Sequence, residues 1–231
     1  MPSAVLLSGG LDSAVLLAEE ALRSPATRVQ PIYVGVGLSW EEAERRAIAR
    51  FLAAAALGPL VGPLVSLSVD MRDVYPPTHW AMRGRPPGYH TPDQDVYLHG
   101  RNIVLLAKAG IYCAAERLDR LVLGTLDHNP FPDATPTFRL AMASALSLGL
   151  AHQLTIDAPY AHVGKSEVIR RGVVLGLPLD LTLSCMNPLV GQIASGPRHC
   201  GMCSKCRERH DAFLEAGAPD PTDYADRTYT R

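Results

Sequence analysis

Short apolar runs alternate with stretches of helical period along most of this chain, and that alternation limits its fold more than any other feature. Brief apolar runs bounded by turn residues read as fully buried strands. Ala4–Leu7, Val29–Val36, Leu64–Val69, Leu121–Gly124 and Leu154–Asp157 have that form. Helical patterns fit Asp12–Leu22, Trp40–Leu57, Ile103–Arg117, Thr137–Leu148 and Lys165–Leu175. Strands separated by helices cannot pair as hairpins. They make a parallel sheet with helices on both faces. The pattern predicts an α/β domain over residues 1–180, a doubly wound parallel five-stranded sheet. From about Leu181 the rhythm gives way to a cysteine-rich segment, which predicts a second unit over 181–231 with four cysteines and helical character. No internal repeat is present.

Local signals sharpen two places. Ser39 followed by Glu42 has the spacing of a capping box, and Glu41–Arg45 and Glu42–Arg46 are i,i+4 ion pairs on the helix it would open. Met71–Leu98 breaks the alternation with Pro76, Pro77, Pro86, Pro87, Pro92, Gly84 and Gly88, and reads as a long loop. A loop of that length is expected to be a lid or binding loop, or to be disordered. It carries His79, Trp80, His90 and Tyr97, with His99 just beyond, and a second metal bound by its histidines is one reading of it.

Composition excludes several classes. Of 231 residues, 22 are Lys or Arg and 23 are Asp or Glu, so the net charge is −1 and no strongly basic nucleic-acid surface spans the molecule. A hydrophobic share of 47% supplies a core and rules out wholesale disorder. No apolar stretch is long enough to span a bilayer, and the N-terminal apolar run lacks the basic flank of a signal peptide. A cytoplasmic protein with reduced thiols is expected. The 5 cysteines cannot all pair within one chain.

The first strand leads into Ser8-Gly9-Gly10-Leu11-Asp12-Ser13 and then a helix. Successive backbone N–H groups at a glycine turn can wrap an anion, and the helix N-terminus adds positive potential. The Ser8 and Ser13 hydroxyls can donate to phosphate oxygens. Asp12 repels phosphate, so its role is to hold Mg²⁺ or to orient the turn. The S-G-G-x-D-S shape resembles the pyrophosphate loop of the ATP pyrophosphatase (PP-loop) superfamily. By that resemblance the sheet is adenine nucleotide alpha hydrolase-like, and the second strand ends near adenine, at Val34.

Near the C-terminus, Cys200-Gly201-Met202-Cys203-Ser204-Lys205-Cys206 has C-x₂-C-x₂-C spacing, and Cys185 lies upstream. Four thiolates suit a closed structural Zn²⁺ site; an Fe–S cluster and unligated thiols are the other readings. His199 and His210 are rival ligands. Cys113 lies in an apolar helix and reads as a small core residue.

Taken in order, these and further motifs resemble the 7-cyano-7-deazaguanine synthase family of queuosine biosynthesis. The resemblance includes Gly100-Arg101-Asn102, Leu123-Gly124-Thr125 with Asp127, Phe131-Pro132-Asp133 with Phe138, Ala158-Pro159 with Lys165, Thr182-Leu183-Ser184-Cys185, and Arg209. It implies that 7-carboxy-7-deazaguanine is adenylated by ATP, that ammonia converts the acyl-adenylate to an amide, and that a second ATP activates the amide so that elimination leaves the nitrile. It implies Asp12, Lys165 and Arg101 as catalytic residues, and Ser8 to Ser13, Val34, Gly100, Arg101 and Gly124 around ATP. It places Asn102, Asp127, Phe131 and Asp133 around the base, with either aspartate able to read it; Asn102 as a helix cap and Phe138 as core are the plainer readings. Mg²⁺ and Zn²⁺ are the expected metals, and a homodimer without direct nucleic-acid contact the expected assembly.

The chain also departs from that family. Where the family carries a Tyr-Gly-Gln-Arg-His-like run, it reads Val36-Gly37-Leu38-Ser39-Trp40-Glu41; Ala134 replaces a cysteine, and Met186 an aromatic. A paralogue that stops at the amide, or that passes the acyl group to another amine, including one on a protein as in anti-phage systems, is the alternative. A tRNA-modifying PP-loop enzyme and a non-catalytic zinc module are the others.

Overall fold

The computed structural model describes residues 2–190 and 196–229. Strands β1 (Ser3–Leu6), β2 (Gln30–Gly35), β3 (Val65–Ser68), β4 (Arg120–Val122) and β5 (Thr155–Asp157) form one sheet in the order β3-β2-β1-β4-β5. Every neighbouring pair is parallel. The expected doubly wound sheet is therefore present. Chain order reverses direction between β1 and β4, and such a switch point opens a crevice at the strands' C-terminal ends.

Alternate strand residues feed opposite faces. Val5 and Val122 pack with α1 (Leu11–Arg23), α2 (Glu41–Ala54), α6 (Lys165–Val174) and α7 (Ser204–Ala216), the last contributing Ala212 and Phe213. Ala4 and Leu121 pack on the other face with α4 (Arg101–Ala115) and α5 (Pro136–Leu150). Phe138 and Cys113 lie in this second core, and burial pushes the Cys113 thiol up to about 12, as expected of an inert core residue.

The capping box at Ser39 does not form. Trp40 is the N-cap of α2 and gives no side-chain cap. Glu41 does the work instead: its Oε1 accepts from the N–H groups of Val36 (2.5 Å), Gly37 (2.8 Å) and Leu38 (3.1 Å). One carboxylate thus holds the whole turn after β2, a tighter arrangement than a serine cap offers. Both i,i+4 pairs, Glu41–Arg45 and Glu42–Arg46, are made.

The 71–98 segment is not an open loop. Met71, Tyr75, Ala81, Val96 and Leu98 are buried with Val36, Leu38, Trp40, Leu183, Cys185 and Cys203 in a third core at the C-terminal end of the sheet. A short helix, α3 (Trp80–Arg83), is capped by His79 Nδ1, which accepts from Ala81 N at 3.2 Å. The prolines set turns between packed apolar residues. Five buried side chains outweigh the compositional signal, which counts turn formers and misses what lies between them. Strands β6 (Leu189–Val190) and β7 (Pro197–Arg198) form a separate antiparallel pair.

The C-terminal segment is fastened by Arg209, which is fully buried. Its guanidinium donates to Thr222 Oγ1 (2.6 Å), Thr182 Oγ1 (2.8 Å) and the Leu179 carbonyl (2.8 Å), and lies over the Phe213 ring. Buried cations persist where their donors are satisfied in this way. Among the described residues no helix is long and apolar enough to cross a membrane.

Candidate active site

The glycine turn between β1 and α1 is built to leave donors free. Gly9 has φ +78°, and a Cβ there would come within 3.0 Å of the Glu44 carbonyl, so only glycine fits without movement. Gly10 is the N-cap of α1 and supplies no side-chain cap, so the first-turn N–H groups at Leu11, Asp12 and Ser13 have no side-chain capping acceptor. Ser13 Oγ donates to the Gly10 carbonyl at 3.0 Å and lies 3.2 Å from Ser8 Oγ, which fixes the loop's shape. The chain beyond β4 passes close: a Cβ on Gly124 would be 3.4 Å from Ser13 N.

Lys165, the first residue of α6, reaches this loop. Its Nζ donates to Asp12 Oδ2 at 3.1 Å and to Glu208 Oε1 on α7 at 2.6 Å. The side chain is only 12% exposed, so the cation is held away from bulk water. Burial alone would lower its pKa, but the charges of Asp12 and Glu208 outweigh this and hold it above the usual lysine range. Glu208 also pairs with Lys205, and the two lysines overcome burial to bring its carboxyl down to about 2. Asp12 Oδ1 is buried without a hydrogen-bond partner, and so is Arg101 Nε. Buried polar atoms of this kind are seldom left unpaired.

Two cavities share Ser8, Gly10, Asp12 and Arg101 in their linings. The first, about 310 Å³, includes Asp12, Lys165, Glu208, Arg101, Asp127 and Phe131, with Trp40, Glu44, Trp80, Leu183 and Met186 along one wall. The second, about 250 Å³, is bounded by Leu6, Ser8, Tyr97, Arg101, Asn102, Gly124, Phe131 and Asp133. Val34 lines a smaller recess of about 40 Å³ beside Ser8 and Arg101.

Most of the sequence-derived candidates line these spaces, and Gly9 and Gly100 do not. Arg101 opens α4 and borders all three cavities, with Gly100 as the N-cap. The helix therefore starts before Ile103, and Asn102 is inside it, not a cap. Asn102 Nδ2 donates to Asp133 Oδ1 (3.2 Å) and the Asp133 carbonyl (3.1 Å), and Asn102 N donates to Asp133 Oδ2 (3.2 Å). Asp133 is buried, which raises its pKa against those hydrogen bonds. Asp127 lies at the mouth, its carboxylate accepting from His128 N at 2.9 Å. Phe131 stacks on Tyr97, ring centroids 5.1 Å apart.

The sulfurs of Cys185, Cys200, Cys203 and Cys206 all lie within 4.8 Å of one another. Individual Sγ–Sγ separations are 3.5 Å (Cys203–Cys206), 3.8 Å (Cys200–Cys206) and 4.0 Å (Cys185–Cys203). A tetrahedral Zn²⁺ with thiolate bonds near 2.3 Å needs edges of about 3.8 Å, so the donor set fits that ion. The N–H groups of Asn187 and Cys200 point at Cys185 Sγ, at 3.3 Å and 3.2 Å, as ligated thiolates require. Gly201, at φ +81°, makes the turn between ligands; a Cβ there would meet the Asp226 carbonyl at 1.9 Å. His199 Nε2 instead accepts from Ser184 N at 3.1 Å, and His210 Nδ1 pairs with Asp220 at 3.4 Å. Among the described residues no second group of three or more such ligands lies together.

A family model described as "Queuosine biosynthesis protein QueC" matches residues 3–217. The chain belongs to the QueC family. A curated relative from Anaeromyxobacter dehalogenans, named 7-cyano-7-deazaguanine synthase, is 33% identical over 96% of this chain and 94% of its own length. One of the same name from Methanopyrus kandleri is 34% identical over 95% and 97%. A solved structure, the U34-tRNA thiolase NcsA from Methanococcus maripaludis, aligns with 77% of this chain and 58% of that one at TM-score 0.47 and 17% identity. Likeness at that level carries no function.

Within this QueC chain, sequence reasoning missed Glu44, Lys205 and Glu208. Each sits on a helix whose local pattern reads as an ordinary charged face, and its partners come from distant segments. The Trp40–Glu44 and Lys205–Glu208 spacings, one helical turn each, were the available signals. The cysteine geometry yields a direct test. Metal analysis of protein purified without added metal should find about one zinc per chain. Chelation should lower the melting temperature, because binding energy at such a site is folding energy. Metal-free protein with an unchanged melting temperature would refute the assignment.

Proposed function

We propose that the chain converts 7-carboxy-7-deazaguanine and ammonia to 7-cyano-7-deazaguanine, consuming two ATP. The observation that carries this reading is a single cleft in which free loop donors, two cations and a partly apolar wall converge. The substrate carboxylate attacks the α-phosphate of ATP and pyrophosphate leaves. Ammonia attacks the acyl-adenylate and AMP leaves, giving the amide. The amide oxygen attacks the α-phosphate of a second ATP, pyrophosphate leaves and a proton is lost to give the adenylated imidate, and loss of the remaining N–H proton with departure of AMP gives the nitrile. Negative charge grows on the phosphates in both activations, and fixed donors and cations aimed there lower the barrier. Lys165 and Arg101 are those cations, with the N–H groups of Gly9, Leu11, Asp12 and Ser13 and the Ser8 hydroxyl as donors, while Gly10 N and the Ser13 hydroxyl hold the shape of the loop. Arg101 Nε, now without a partner, supports its place there. Gly100, Gly124 and Val34 border the nucleotide, and Asn102, Asp127, Phe131 and Asp133 the base.

Two metals fit this reading. The unpaired Asp12 Oδ1 beside the phosphate loop is the donor a Mg²⁺ would take, and the ion would offset the repulsion between that carboxylate and phosphate. The four-cysteine group fits Zn²⁺, whose part is to hold the segment bearing Glu208 against the cleft. Thiol ligation needs a reducing compartment, which supports the cytoplasm.

Exposed apolar side chains on α4 and α5 (Ile103 47%, Ile111 52%, Leu140 72% and Leu148 81%) support a homodimer through this face. Light scattering should give twice the chain mass, and Leu140→Lys should shift it toward the monomer; a monomeric wild type removes this proposal.

The deciding assay supplies ATP, Mg²⁺, ammonium and 7-carboxy-7-deazaguanine and follows the products by mass. The expected product has lost one water beyond the amide. Amide alone would replace this reading with that of an amide-forming paralogue. AMP release only on addition of another amine or protein would indicate a conjugating one.

A further inference from the structure

The wall of the larger cavity formed by the start of α2, which packs against Gly9, contains a carboxylate that makes no contact with Lys165 or Arg101. Glu44, one turn into α2, is buried yet borders the cavity. Its Oε2 accepts from Tyr33 OH on β2 at 2.8 Å, and its Oε1 from Trp40 Nε1 at 3.1 Å. A carboxylate offers about four lone-pair positions, so two acceptor sites remain. Trp40 and Trp80 stack nearly parallel beside it, at 9° and 5.8 Å, and Leu98 and Met186 continue the apolar surface. A clamped, buried acceptor pair next to flat aromatic and apolar walls is the complement of a planar heterocycle with two adjacent N–H donors. The edge of a 2-amino-4-oxo base, ring N–H beside exocyclic NH₂, has that pattern. Adenine does not, because its amino group adjoins a ring acceptor. Asp133, the buried aspartate in the other lobe, already holds Asn102 with both oxygens.

We propose that Glu44 reads the substrate base, its carboxylate accepting from the ring N–H and 2-amino group of the deazaguanine while the carboxyl to be activated points toward Arg101 and the phosphate loop. The assignment rests on the functional reading above and adds the residue that selects the base.

A consequence in pH follows. Burial pushes the Glu44 carboxyl up; the Arg101 charge from α4 and the Tyr33 hydrogen bond from β2 pull it back, Glu41 on its own helix raises it, and the balance stands at about 7. Tyr33 itself is held well above its usual range, by burial and then by Glu44. The protonated acid cannot accept from both donors of the base. Binding therefore favours the ionised form and releases a proton below about pH 7. Affinity should rise with pH up to that point, by as much as about tenfold per unit, and level off above it.

Calorimetric titration with 7-carboxy-7-deazaguanine and with its analogue lacking the 2-amino group, on wild type and Glu44→Gln, tests this. Wild type should prefer the parent base by about tenfold or more, with affinity rising between about pH 6 and about pH 7. Glu44→Gln should weaken parent binding by about 10- to 100-fold, erase the preference and flatten the pH dependence. Its melting temperature reports folding, and should the variant not fold, the two wild-type arms decide alone. A folded variant that binds like wild type and still discriminates overturns the assignment, as does a wild type indifferent to the 2-amino group or to pH. Wild type that binds neither base overturns the functional reading, and the assignment with it.

Discussion

Lys165 is an ammonium ion held between two carboxylates where water scarcely reaches, and three helices depend on it. Asp12 stands in the first turn of α1, Lys165 begins α6, and Glu208 projects from α7. The lysine therefore joins the glycine turn to the cysteine-bearing end of the chain. Breaking a buried ion pair by removing one partner typically costs about 3–5 kcal/mol, because the charge left behind stays buried. Here the excess negative charge is shared, since Glu208 also has Lys205. Lys165 and Lys205 thus meet Asp12 and Glu208 in a charge-balanced cluster at the phosphate loop.

That balance explains why the C-terminal segment packs as it does. Arg209, one residue past Glu208, is locked by Thr182, Thr222 and Leu179, and Cys206 lies on the same helix a turn earlier. Four thiols set near tetrahedral spacing fix the start of α7, Arg209 fixes its middle, and Glu208 is aimed at Lys165 as a result. The same segment brings Leu183, Ser184 and Met186 to the wall of the larger cavity. A group far from any reacting atom can in this way set the geometry of the site.

Much of this was legible in the sequence because its causes are local. Strand and helix identity follow from the period of apolar residues, and the five-strand parallel sheet was read from that alone. The glycine turn and the C-x₂-C-x₂-C run are defined by neighbours a few residues apart. The failures have the opposite character. Glu208 meets Lys165 across 43 residues, and Glu44 gains its meaning from Tyr33, Trp40 and the cavity beside it. Neither is marked out by its neighbours in the sequence. Ser39 and Glu42 had the spacing of a capping box, but Glu41 captured three backbone donors at once and moved the helix start. The 71–98 segment read as a long loop, a lid or binding loop or disordered, because prolines and glycines dominate its composition; its few apolar residues carry its packing, and Trp80, Asp93, Val96 and Leu98 line the larger cavity.

The central claim is that this cleft activates a carboxylate by adenylation, with Lys165 among the cations that receive the developing phosphate charge. Exchange of labelled pyrophosphate into ATP measures that step in isolation. Wild type should show exchange only when 7-carboxy-7-deazaguanine is present, and Lys165→Met, shown to be folded by its melting curve, should lose it by about 10²-fold or more. A folded Lys165→Met protein exchanging at the wild-type rate would contradict the account.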